Sequence, residues 1–143
     1  MPDLDLRKRS IRTLAWLGDG EFEREVRLRV ARRGDFPTQR LDTVRASIVR
    51  AEGQADLLKI VWSRLDEAER SLARRGRNVA PRSHARGRRN TAAYRSATAL
   101  EALVAYWCLD GTQGTDRFRA VMGEAIERAI DKALPISRPP VRG

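Results

Sequence analysis

Cysteine occurs once in this chain of 143 residues, at Cys108, which excludes an internal disulfide and zinc held by a cluster of thiolates. Histidine also occurs once, at His84. No apolar run approaches the roughly 20 residues that a bilayer-spanning helix needs. The opening MPDLDLRKRS carries early acids and no apolar core, so no secretory signal is read there and a reducing cytoplasm is the expected location. Lysine is scarce as well: of 29 Lys+Arg only Lys8, Lys59 and Lys132 are lysines. Acids are outnumbered, 19 against 29, and the net charge of +10 points to a polyanionic partner, nucleic acid before an anionic membrane. Arginine in particular suits phosphate, because its planar fork donates two hydrogen bonds at once.

What is present is helical periodicity. No stretch alternates with the period of two that a strand requires, and no internal repeat is seen, so the fold class expected is all-α. Residues 1–9 read as a polar lead-in, 10–134 as one domain and 135–143, with its SRPP run, as a disordered tail. From a Ser10 cap, Ile11, Leu14 and Leu17 begin a helix that meets Gly18-Asp19-Gly20 and resumes at Phe22, Val26 and Val30. The glycines there either split the helix or let a neighbour pack closely against a continuous one. Leu41, Val44 and Ile48 mark a second helix, and Leu58, Val61, Trp62 and Leu65 a third, with Gly53 as the expected hinge. Asp66 with Glu69 forms a capping-box signature for a short helix ending near Arg75. Gly76, Pro81 and Gly87 are expected to break helix across the next stretch. Asn90 to Leu109 then reads as a buried central helix. A last amphipathic helix runs from Phe118 through Ile130 to a stop at Pro135.

Two carboxylates interrupt apolar stripes: Asp19, and Glu101 beside Ala97, Val104 and Cys108 on the central helix. An acid at that edge is paired, bound to a cation, or reaching to water. Asp19 reads as a helix N-cap or as half of a cation site, and Glu23 as a solvated residue or outer support. If Asp19 and Glu101 meet, they suit Mg²⁺, which takes one or two carboxylates and leaves positions for water and phosphate. The segment Arg74 to Asn90 holds seven arginines and no acid. Its like charges repel unless a polyanion neutralises them, and with few aromatics interleaved a duplex backbone fits better than stacked single-stranded bases. His84 reads as a solvent-exposed side chain, and Cys108 as an inert buried thiol.

The order of motifs Leu17-Gly18-Asp19 with Glu23, Arg75-Gly76-Arg77-Asn78, Tyr94-Arg95-Ser96 and Leu100-Glu101-Ala102-Leu103 resembles the ribonuclease III catalytic domain over about residues 14–109. Val49 and Gln54-Ala55 fit the same pattern. Within that family the chain is most similar to the short form, Mini-ribonuclease III, which has no separate double-stranded-RNA-binding domain. The resemblance implies an all-helical homodimeric bundle and a Mg²⁺-dependent endonuclease on double-stranded RNA that matures the ends of large-subunit ribosomal RNA precursors. It implies Asp19 and Glu101 as the catalytic and metal-holding acids. Arg74, Arg75, Arg77, Asn78, Arg82, Arg86, Arg88, Arg89, Tyr94 and Arg95 would lie along the RNA, and Trp16 at the dimer interface. The positions of two further acids in longer relatives fall on Ala15 and Thr98. A ribosomal protein that presents the substrate is a further candidate partner. The chain departs from the pattern at Gly20, Glu21 and Asp42. The rival reading is a non-catalytic RNA-binding or ribosome-associated protein on the same fold.

Overall fold

The computed structural model describes residues 5–79, 91–111 and 114–135, and among these the regular structure is entirely helical. Six α-helices follow in order: α1 (Ile11–Ala31), α2 (Thr38–Val49), α3 (Ala51–Val61), α4 (Glu67–Arg77), α5 (Thr91–Cys108) and α6 (Gly114–Ala133). Short 3₁₀ turns occupy Leu6–Lys8 and Trp62–Arg64. Helix α5 is the hub, packed against α1, α3, α4 and α6.

Ser10 starts α1 as expected, its hydroxyl accepting the Thr13 backbone N–H at 3.2 Å. The helix then runs through Gly18 and Gly20 without a break, so Asp19 is a mid-helix residue and not a cap. Gly18 marks the crossing with α5. A Cβ placed there would lie 1.7 Å from the Glu101 carbonyl oxygen and 3.1 Å from the Ala105 nitrogen. A glycine inside a helix costs about 1 kcal/mol relative to alanine, and here it is what lets the two backbones approach.

The corner between α2 and α3 corrects the expectation for Gly53. The chain turns at Arg50, whose extended backbone (φ −63°, ψ 161°) ends α2 and begins α3. Gly53 lies one turn inside α3, where a Cβ would meet the Ser47 and Ile48 carbonyl oxygens at 2.5 Å. It permits the tight corner without being its hinge. The second correction concerns Gly76. Helix α4 continues through it to Arg77, with Gly76 buried 2.6 Å (from a hypothetical Cβ) from the Ala99 Cα of α5. Pro81 and Gly87 lie outside the described residues. The capping box is formed in full: the Asp66 carboxylate accepts from the Glu69 N–H, and Glu69 accepts from the Asp66 N–H, both at 2.8 Å.

The core joins Phe22, Val26 and Val30 of α1 to Leu57, Leu58 and Val61 of α3 and to Leu100, Leu103, Val104 and Trp107 of α5. Met122, Ile126 and Ile130 of α6 close it, and Phe118 stacks on Trp107 with ring centroids 6.0 Å apart. At the other end of the chain, Arg7 lies 3.7 Å above the Tyr106 ring and reaches Asp110 at 3.1 Å, seating the N-terminal 3₁₀ turn on α5.

One buried acid ties three helices. Glu69, 2% exposed, receives the Trp107 indole N–H of α5 and two hydrogen bonds from Arg117 of α6, at 2.7 and 3.1 Å. Burial would raise its pKa, but Arg117, the Asp66 backbone and Trp107 outweigh burial and hold it below the ordinary carboxylate value. Glu69→Ala is therefore expected to cost about 2–4 kcal/mol in urea unfolding near neutral pH, by leaving Arg117 and the indole without their acceptor. Because the folded pKa is depressed, that contribution is present above the unfolded value and lost as pH falls through the folded one. The gap between wild type and variant should narrow on acidification; a gap independent of pH would count against an ionised Glu69.

Candidate active site

The crossing at Gly18 places Asp19 of α1 against Glu101 of α5, and their side chains share a hydrogen bond. They lie in a cleft of about 280 Å³ lined also by Arg12, Ala15 and Trp16 of α1, by Val79 after α4, and by Tyr94, Ala97 and Thr98 of α5. The two acids that are 82 positions apart in the chain (101 − 19) thus meet in one open site.

Their shared contact sets the protonation. Burial, and then the hydrogen bond and negative charge of Asp19, push the Glu101 pKa up to about 9, with Gln54 pulling the other way. Beside Asp19 and out of water, Glu101 therefore keeps its proton near neutral pH in the free site. Gln54 is the functional side chain that charge and periodicity did not single out. It is 3% exposed, its amide is anchored by donating to the Val49 carbonyl at 2.8 Å, and from α3 it lies close enough to Glu101 to lower that acid's pKa. Besides its fit to the family pattern, its sequence signal was a polar side chain on the buried face of α3, between Ala51 and Leu58.

The remaining candidates divide by place. Tyr94 lines the cleft, while Arg95 donates to the Arg77 carbonyl at 3.3 Å and so ties α5 to the end of α4. Arg74 pairs with Glu67 at 3.1 Å, Arg75 is exposed, and Asn78 caps α4 beside the cleft residue Val79. Arg82, Arg86, Arg88 and Arg89, with His84, lie outside the described residues. Trp16 is 76% exposed at the cleft edge, so it is not a core residue. Ala15 and Thr98, the positions that the resemblance sets against further acids, both line the cleft. Glu23 is not part of it: it pairs with Arg45 at 2.9 Å and Arg27 at 3.0 Å. Asp42 joins the same Arg45 at 2.8 Å. Burial pushes the Cys108 thiol up to about 11, with Glu21 and Glu25 adding to it, in keeping with an inert thiol.

Comparison with known proteins places this arrangement. A profile of the ribonuclease III domain matches residues 12–112. The chain belongs to the ribonuclease III family. It is similar to Mini-ribonuclease 3 of Thermosynechococcus vestitus (strain NIES-2133 / IAM M-273 / BP-1), 32% identical over 132 residues, covering 89% of this chain and 82% of the relative. To Mini-ribonuclease 3 of Gloeobacter violaceus it is 40% identical, covering 74% of this chain and 76% of that one. To that of Desulfitobacterium hafniense (strain Y51) it is 41% identical, over 69% of this chain and 62% of that relative's length, less than two thirds of it. The fold is also similar to the crystal structure of a Fusobacterium nucleatum protein, with a TM-score of 0.71 at 27% identity, covering 88% of this chain and 99% of that one. By family the chain is an endoribonuclease of the ribonuclease III type, a family that acts on double-stranded RNA and is generally dependent on a divalent metal. Among the described residues no helix is long and apolar enough to cross a membrane.

The proton held by the acid pair has a measurable consequence. The folded pKa of Glu101, about 9, stands above its unfolded value near 4.5, so the folded ribonuclease binds the extra proton between them. Stability of the metal-free protein should fall as pH rises across that window. Glu101→Gln, a neutral stand-in that does not titrate, should match wild type near pH 5 and exceed it by about 1 kcal/mol or more near pH 9 in EDTA. Parallel urea-unfolding curves at the two pH values would contradict a shared proton.

Proposed function

We propose that this chain is a Mg²⁺-dependent endonuclease that cuts double-stranded RNA as a cytoplasmic homodimer, its substrate the paired ends of large-subunit ribosomal RNA precursors. The observation that carries the reading is the meeting of Asp19 and Glu101 in an open cleft on a strongly cationic chain. Among the described residues no group of three or more His, Cys, Asp or Glu side chains is placed to hold a metal ion. Two carboxylates suit Mg²⁺, which keeps waters and substrate phosphate as its other ligands. The hydrogen bond between them is the fit test: the pair already needs a positive charge, and the proton supplies the least of it. The likeness to Mini-ribonuclease 3 proteins supports the ribonuclease reading, and the ribosomal RNA substrate is what the resemblance to that short form implies.

Asp19 and Glu101 would hold the ion as ionised carboxylates, Glu101 releasing its proton. When bound, Mg²⁺ lowers the pKa of an attacking water and neutralises charge developing at the phosphodiester. Gln54, held by the Val49 carbonyl, faces Glu101 from the α3 side and favours its ionised form. Arg75 and Arg77 at the end of α4, with Arg74, contact the backbone phosphates and set the register of the duplex on the site. Arg12 and Tyr94 line the same cleft as the acids. Hydrolysis joins the oxygen of water to phosphorus and breaks the bond to the leaving oxygen, which takes up a proton.

Asp19→Asn and Glu101→Gln should each lower cleavage of an RNA duplex by at least about 100-fold in Mg²⁺ while binding of the same duplex persists. Cutting that survives both substitutions removes the acids from the mechanism. A wild-type protein that binds duplexes and cuts none is the outcome that favours the non-catalytic RNA-binding alternative.

The dimer rests on Trp16. A large apolar side chain left 76% exposed at the cleft edge is the kind of surface another chain covers. A two-fold pairing would present two clefts, one for each strand. Trp16→Ala should move the mass in light scattering from dimer toward monomer; an unchanged mass would separate Trp16 from assembly.

A further inference from the structure

On the other flank of the first turns of α5 from the acids lies a second groove, of about 550 Å³, lined by Ala55, Asp56, Lys59, Trp62, Arg77, Ala92, Ala93 and Ser96. Its floor has an unusual build. The Trp62 ring lies under two guanidinium groups, Arg77 at 4.6 Å and Arg74 at 5.8 Å from the ring centroid. Arg74 is also engaged by Glu67. Arg77 has no carboxylate partner among the described residues, and its own carbonyl is pinned by Arg95. An arginine stacked on an indole is held flat, with the edge of its fork left to donate. Asp56 and Lys59 offset each other's charge, so Arg77 sets the sign of the groove. Both of its walls connect to the catalytic cleft: Ala93 and Ser96 alternate with the cleft residues Tyr94 and Ala97 along α5, and Arg77 is two residues from the cleft residue Val79.

We propose that this groove is a second phosphate subsite for the RNA duplex, with Arg77 as its donor and Trp62 as the positioning residue that holds Arg77 in donating geometry. The inference rests on the reading of the chain as an enzyme of double-stranded RNA. A strand whose scissile phosphate lies at the acids carries flanking phosphates past α5, a helix about 10–12 Å across with its side chains. The stacked fork meets one of them. Trp62 touches no reacting atom, so its contribution belongs to binding and register and not to the chemical step.

The test uses a fluorescein-labelled blunt RNA duplex as probe. Binding is read by anisotropy in EDTA across a salt series, and cleavage in Mg²⁺. Arg77→Ala should weaken binding about 5- to 10-fold and reduce the slope of log affinity against log salt by about 1. Trp62→Leu should weaken binding several-fold and raise KM with kcat unchanged, and Trp62→Phe, which keeps an aromatic face, should restore most of it. The double variant should bind about as well as Arg77→Ala alone, since Trp62 acts through Arg77. Because Trp62 also packs against the core, melting temperatures of all variants are recorded. A Trp62→Leu protein that melts lower yet keeps the wild-type affinity and salt slope would overturn the proposal, as would losses that multiply in the double variant. If wild type cuts the duplex while these variants bind like it, the subsite alone falls. If wild type neither binds nor cuts a duplex, the nuclease reading falls with it.

Discussion

The structure depends on one contact between two backbones. At Gly18, α1 lies against the Glu101 carbonyl of α5 with no side chain between them. Around the crossing the residues are small: Ala15 on α1, and Ala97, Ala102 and Ala105 on α5, with Leu14 filling the edge. Because the crossing residue on α5 is itself Glu101 and the residue after Gly18 is Asp19, the closest approach of the helices is also the meeting of the acids. Helix packing usually holds axes about 8–10 Å apart, with the distance set by the side chains at the contact. Removing the side chain shortens the reach that two short carboxylates must span.

Charge is distributed in two ways around that crossing. In the second half of α1 and along α6, arginines are consumed by acids: Arg29 with Glu25 and Glu127, Arg33 with Glu127 and Asp131, Arg119 with Glu25. The pairs from Arg29 and Arg33 to Glu127 and Asp131, and from Arg119 to Glu25, tie α1 and the turn after it to α6. At the end of α4 the pattern changes, since among the described residues Arg75 and Arg77 face no carboxylate. These two charges stand within four residues of the cleft residue Val79, where they raise the local concentration of a polyanion. The acids serve as internal ties and as the pair in the site.

Much of this was legible in the chain before its fold. The apolar stripes of Val44 and Ile48, of Leu58 and Val61, and of Leu100 through Trp107 marked their helices, and the Asp66–Glu69 box marked the start of α4. The glycines were harder to read. Gly53 and Gly76 look like breaks from local sequence, and Gly18 left a break or close packing open, yet each sits inside a helix, because the atoms it makes room for belong to a different element. The three tryptophans show the same limit: Trp107 is buried, Trp62 half-buried beneath arginines, and Trp16 exposed. Residue type alone does not distinguish these fates. Glu69 could be read as a cap, but its ties to Arg117 and Trp107 arise only when α6 folds back. Gln54 was hidden for a similar reason, since its two partners are a carbonyl on α2 and an acid on α5.

The alanine-lined central helix carries a consequence for how the molecule can change over time. Its contacts at Gly18, Gly76 and Gly114 are backbone against backbone, at Glu101, Ala99 and Trp107 in turn. No flexible side chain lies between to absorb an added methyl group, so any enlargement there pushes a whole neighbouring element. An exposed cation such as Arg75, with no carboxylate partner among the described residues, carries no such burden, because water surrounds it. Lineages descending from this chain are therefore expected to diversify by trading surface charges while the hub stays nearly fixed, so that preference for one RNA over another drifts faster than the chemistry that cuts it.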